Sequence, residues 1–76
     1  MNNKLITLYA QISKREIEEA SVSSFEAAET RVGSWKDRGI AESSIRVYWR
    51  GYFYPVNDFF TEDMEAWYKD LNQSLT

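Results

Sequence analysis

The side chains best placed to do chemistry lie in one stretch, Ser43–Val56, which reads SSIRVYWRGYFYPV. Five aromatics fall between Tyr48 and Tyr54, and Arg46 and Arg50 are threaded among them. Arg46, Tyr48, Arg50, Tyr52 and Tyr54 recur at period two, so strands here can present several of them on one side. Rings interleaved with guanidinium groups suit two tasks. One is a protein interface, where Tyr, Trp and Arg supply large contact area at small entropic cost. The other is a stacking platform for unpaired bases. In a third reading the rings fill the core and the Arg46 stem covers apolar surface.

Catalysis has little to work with. There is no histidine and no cysteine, which removes the commonest general base, the commonest metal ligand and the thiol nucleophile together. A serine nucleophile would lack its histidine partner. The acids cluster as Glu16, Glu18 and Glu19 and as Glu62, Asp63 and Glu65. Both groups fall on turns or helix starts, where solvated carboxylates are ordinary, whereas acid–base tuning needs a buried pocket. The glycines at 33, 39 and 51 form no phosphate loop. The expectation is a non-enzymatic chain with no metal and no cofactor. Glu16, Glu18 and Glu19 have one other use: acidic side chains can imitate nucleic acid and occupy a basic groove.

The elements that must position the aromatic stretch follow from periodicity. Leu5–Ile12 alternates, with Ile6, Leu8, Ala10 and Ile12 on one side, and reads as a strand. Ile17–Val22 has two readings. Ser13 and Glu16 could open a helix through a capping box. A strand is favoured, because the first strand needs a partner, but Ala20 and Val22 then need a bulge to share a side with Ile17. Ser23 and Glu26 form a capping box for a helix whose Phe25, Ala28, Val32 and Trp35 lie on one stripe. Gly39 ends that helix, and Gly33 within it is a candidate close approach to the sheet.

Ser44–Trp49 and Tyr52–Val56 then form a hairpin, with Pro55 marking a short or edge strand. Asn57–Phe60 turns the chain, and Thr61 caps a last helix striped by Met64, Trp67, Tyr68, Leu71 and Leu75.

The hairpin has two possible registers. A two-residue Arg50-Gly51 turn puts Ile45, Val47, Trp49, Tyr52, Tyr54 and Val56 on the core side and leaves Arg46, Tyr48 and Phe53 outside. A three-residue Trp49-Arg50-Gly51 loop puts Arg46, Tyr48, Tyr52 and Tyr54 on one outward face. Two-residue turns prefer Asn-Gly or Asp-Gly, and a glycine closing the loop suits the three-residue form, so the second register is favoured.

Seventy-six residues fit a single domain, 1–76. A chain this short buries only about 60% of its unfolded surface, and its aromatics, 16% of residues, must supply much of the core. The architecture expected is α+β: a two-layer β-β-α-β-β-α fold, an antiparallel-rich sheet with two helices packed on one face. A right-handed crossover through the first helix sets the third strand parallel to the first or near it. No apolar run approaches the ~18 residues of a membrane span, and MNNKLITLYAQIS lacks a signal-peptide core. A net charge of −3 disfavours nonspecific nucleic-acid binding.

One resemblance adds to this. ITLYAQISKREIEEASVSSFEAAETRVGSW runs as a strand, a charged turn, a second strand ending in Ala-x-Val-Ser-x-x-Glu-Ala, and a short amphipathic helix. Over Ile6–Trp35 it resembles small phage-encoded inhibitor proteins, namely anti-CRISPR proteins and the phage T7 inhibitor of bacterial RNA polymerase. No binding residue is carried over by it. The resemblance implies a compact phage or mobile-element protein that acts in the bacterial host cytoplasm by binding and inhibiting a host protein or ribonucleoprotein complex, such as a CRISPR effector. Binding is then expected through Arg46, Tyr48, Arg50, Tyr52 and Tyr54. The alternative is a small nucleic-acid-binding or regulatory domain that stacks bases on the same hairpin, and a homodimer is open under either.

Overall fold

The computed structural model of the chain describes residues 4–73. Leu75 of the expected final stripe lies outside them. Four strands, β1 (Ile6–Gln11), β2 (Ile17–Val22), β3 (Ile45–Trp49) and β4 (Tyr52–Pro55), form one antiparallel sheet in the order β2-β1-β3-β4. Helix α1 (Phe25–Asp37), the single turn α2 (Val56–Phe59) and helix α3 (Glu62–Gln73) pack on one face. The α+β two-layer architecture is therefore as expected, with α2 as an addition. Pro55 explains that addition. It offers no N–H to a ladder, and its φ of −63° and ψ of 154° suit a helix N-cap, so Val56 opens a helical turn instead of extending β4.

The direction of the third strand is corrected. β1 and β2 form a hairpin, so the chain has already reversed when it enters α1. The crossover through α1 passes over β1 and makes β3 parallel to β2 in direction, and hence antiparallel to β1.

The core follows the period of the strands. Ile6, Leu8 and Ala10 of β1 and Ile45, Val47 and Trp49 of β3 are fully buried on the helix side. They meet Phe25, Ala28, Val32 and Trp35, the stripe read from α1. Phe59 is the hub, with its ring 5.3 Å from Phe25, 5.8 Å from Trp49, 5.6 Å from Tyr54 and 5.2 Å from Phe60. From α3, Tyr68 reaches between the ends of β1 and α1. Its hydroxyl donates toward the carbonyls of Lys4 and Ser23 at 2.7 and 3.0 Å.

Strand β2 needs no bulge. It pairs residue for residue with β1, from Ile6↔Val22 to Gln11↔Ile17. This puts Glu18, Ala20 and Val22 on the helix side and Ile17 outward, so Ala20 and Val22 follow their hydrophobicity and only Ile17 and Glu18 are reversed. Glu18 is tolerated there because α1 supplies donors. Trp35 Nε1 donates to its Oε1 at 3.0 Å, and Arg38 donates in bidentate fashion at 3.1 and 2.9 Å. The Arg38 hydrogen bond, followed by that from Trp35, holds the Glu18 carboxyl down to about 2.

The cap of α1 lies one residue later than expected. Ser24, not Ser23, is the N-cap, accepting from Ala27 N at 3.0 Å. Ser23 instead gives its carbonyl to Tyr68. At the far end Gly39 takes φ 89°, with Gly39 N donating to Lys36 O and Ile40 N to Trp35 O, a Schellman closure. Gly33 makes no close approach: a Cβ there would meet nothing within 4 Å. Thr61 caps α3 as expected, accepting from Met64 N at 3.1 Å.

Candidate binding surfaces on the hairpin

The β3–β4 hairpin adopts the two-residue turn, and the favoured three-residue loop is overturned. Trp49 pairs with Tyr52, Tyr48 with Phe53, Val47 with Tyr54 and Arg46 with Pro55. Arg50 and Gly51 both hold positive φ, 55° and 87°, the type I′ geometry whose twist matches that of the flanking strands. The deciding residue is Trp49. In the longer loop it would leave the ladder, whereas here it is fully buried and packs edge-on to Trp67 at 5.1 Å and Phe59 at 5.8 Å. Burying an indole outweighs the preference of the turn for Asn or Asp at position 50. A left-handed arginine costs ~1–2 kcal/mol, and Arg50 recovers part of it by stacking. Its guanidinium lies 5.1 Å from the Trp67 ring centroid and 5.7 Å from that of Trp49.

This register divides the five expected binding residues into three groups. Arg46 and Tyr48 project from the open face of the sheet, away from the helices. Tyr52 is on the helix side but stands past the end of the core, 68% exposed, beside Arg50 at the tip. Tyr54 is also on the helix side, half-buried with its ring on Phe59, and is a core residue. The single outward patch of Arg46, Tyr48, Tyr52 and Tyr54 therefore does not form.

Two surfaces replace it. The first is the tip, where Arg50, Tyr52 and Trp67 are all exposed around the buried Trp49. The second is the open face. There Phe53 lies 4.7 Å from Tyr48 and 6.0 Å from Tyr9, ring to ring, and Leu5 and Ile17 extend the apolar surface. A shallow hollow of about 380 Å³ is lined by Tyr9, Gln11, Ile17, Ser44, Arg46 and Phe53. Arg46 is steadied at its rim, with Nη1 donating to the Ser43 and Ile45 carbonyls at 2.9 and 3.1 Å.

Sequence reasoning missed Trp67 at the tip, because its place in the α3 stripe marked it as core. It also missed Tyr9, Phe53 and Ile17. The parity of β1 already set Tyr9 opposite the core residues, and the two-residue turn placed Phe53 outside, so both signals were present. Of the acids considered for nucleic-acid mimicry, Glu18 is engaged with α1, while Glu16 and Glu19 are exposed.

Among the described residues no group of His, Cys, Asp or Glu is arranged to hold a metal, and no helix is long and apolar enough to cross a membrane. No protein-family model, curated protein or solved structure matches this chain.

Proposed function

We propose that this chain is a non-enzymatic phage or mobile-element protein that binds and inhibits a host protein complex in the bacterial cytoplasm, with a CRISPR effector as the target class. Its primary contact is the hairpin tip. The observation that carries the binding role is the exposure of Arg50 and Tyr52 at the hairpin turn together with Trp67 of α3, which Arg50 stacks on. These are the three residue types most enriched at interface hot spots. The turn also keeps an arginine in a left-handed conformation where Asn or Gly would be easier, and local strain of this kind concentrates at functional positions. The inhibitory role and the host target rest on the resemblance of residues 6–35 to phage inhibitors.

The test is an effector assay. Purified chain added to assembled CRISPR effector complexes should reduce their binding of target DNA. The variant Arg50→Ala/Tyr52→Ala should weaken this at least tenfold, since hot-spot truncations cost upward of ~1–2 kcal/mol. Both residues lie outside the core, so its thermal midpoint should stay near that of the parent. An unaffected effector panel would remove the target class, and full inhibition by the double variant would remove the tip.

A second reading has its own observation, the contiguous rings of Tyr9, Tyr48 and Phe53 beside Arg46 on an open sheet, which suit base stacking. Tight, salt-sensitive binding of single-stranded oligonucleotides would favour it. The net charge of −3 predicts no such binding at physiological salt.

A further inference from the structure

The open face carries two charged strand residues, and their placement is symmetric. Tyr9 pairs with Glu19 on one side and Arg46 on the other, so one row across the sheet reads Glu19–Tyr9–Arg46–Pro55, with the two charges flanking Tyr9. Strand spacing sets the backbone of each charged residue about 5 Å from that of Tyr9. Neither charge has an ion-pair partner among the described residues. Arg46 uses Nη1 on backbone carbonyls, which leaves Nε and Nη2 as donors.

We propose that this face binds a second copy of the chain, through a two-fold axis running parallel to β1 over Tyr9. That axis exchanges the two sides of the row. Glu19 meets the partner's Arg46, Arg46 meets the partner's Glu19, and Tyr9 meets its own counterpart. Sheets packed face to face lie about 10 Å apart, a gap that Arg and Glu side chains span together. The next row is compatible as well. It reads Ser21–Thr7–Tyr48–Phe53, so each Tyr48 ring lands on the small Ser21 of the other copy, and Phe53 on the edge strand β4 lies beside the contact. The dimer covers the exposed Tyr48 and Ile17, 36% and 59% accessible.

An axis parallel to the strands keeps positions along them, so both β3–β4 turns emerge at the same end. If the tip is the contact surface, a consequence resting on the function proposed above, the dimer presents two tips side by side and gains avidity for a target with repeated subunits.

Charge reversal tests the dimer without any host partner. Sedimentation velocity of the full chain should show a concentration-dependent monomer–dimer equilibrium. Glu19→Arg and Arg46→Glu should each weaken it by roughly a hundredfold, because each sets like charges in contact twice. Mixing those two variants should restore the dimer, since every Arg then faces a Glu, and the double variant E19R/R46E should dimerise alone. Both positions are solvent-facing, and circular dichroism checks that each variant is folded.

A parent chain that stays monomeric up to ~1 mM overturns the proposal. So does a mixture of the two variants that stays monomeric while the parent dimerises. Oligonucleotide binding by a monomer, lost on Tyr48→Ala, would give this face to nucleic acid and overturn it too. The tip variant Arg50→Ala/Tyr52→Ala should dimerise normally, so failure of the dimer and failure of the target reading are separable.

Discussion

The two faces of the sheet are built from alternate residues of the same strands, yet they carry different burdens. On the helix side, Ile6, Leu8, Ala10, Ile45, Val47 and Trp49 are all at 0% exposure. On the open side, Tyr48 and Phe53 are at 36% and 62%. The aromatic content is similar on both sides, so the aliphatic residues of β1 and β3 mark the core face and the rings by themselves do not. What decides is the layer that each face meets. The helix side is covered by Phe25, Trp35, Phe59 and Tyr68, which arrive from three separate elements. The open side is covered by nothing among the described residues. The difference teaches that a ring is core or surface by parity from the turn, and parity here is fixed at Arg50-Gly51.

The largest break in this comparison is Trp49→Ala. Trp49 touches Phe59, Trp67 and Tyr68, with ring separations of 5.8, 5.1 and 5.6 Å. Truncating a buried aromatic costs ~3–5 kcal/mol, a large share of the total stability of a domain this small. It also removes the reason for the two-residue turn. Urea denaturation should show a midpoint moved far down or no cooperative transition at all. A loss under ~1 kcal/mol would mean that the helix side is less tightly filled than its exposures indicate.

The fold was more legible in the sequence than the site, for a physical reason. Helix α1 announced itself through Phe25, Ala28, Val32 and Trp35, because a 3.6-residue stripe is a signal over many residues. Strand β1 did the same through period two, and Thr61 through its capping position. The hairpin register rested on a two-residue turn, where a weak local preference met a strong tertiary demand, the burial of Trp49. Local chemistry argued for the longer loop, and packing won. Ile17 and Glu18 were unreadable in a similar way. The order of charge and hydrophobicity in β2 is inverted by Arg38 and Trp35, which lie about twenty residues further along the chain. Only a structure brings them together. Tyr54 and Trp67, one wrongly expected at the surface and the other in the core, changed sides with the register and the helix end.

Glu18 is the charged exception on the helix side, and acid sharpens its role. Its carboxyl is held down to about 2 from an ordinary 4.5 by Arg38 and Trp35. The folded state therefore favours the carboxylate. That stabilisation is complete above pH 4.5 and is lost as pH falls toward 2. Thermal midpoints of the parent and Glu18→Gln should differ at about pH 6 and converge as the medium approaches pH 2. The Glu26 carboxylate, held down by Lys69, titrates in both proteins and drops out of the difference. A gap that stays constant through this range would assign the effect of Glu18 to packing instead of charge.

The smallest effect isolates the open face. Phe53→Ala removes a ring of the same kind as Phe59, six residues away and on the other side of the sheet. Phe53 is 62% exposed and its ring contacts are the tilted pairs with Tyr9 and Tyr48. In dilute monomer its loss should change stability by no more than ~0.5 kcal/mol, the range for surface substitutions away from special features. Urea denaturation repeated over rising protein concentration adds the second half of the test. A dimer through Glu19, Tyr9 and Arg46 links stability to concentration, so the parent and Phe53→Ala should both gain stability as concentration rises, and Arg46→Glu should gain less. A loss of several kcal/mol from Phe53→Ala at low concentration would make Tyr9, Tyr48 and Phe53 a second small core, and the contrast between the two faces would fail.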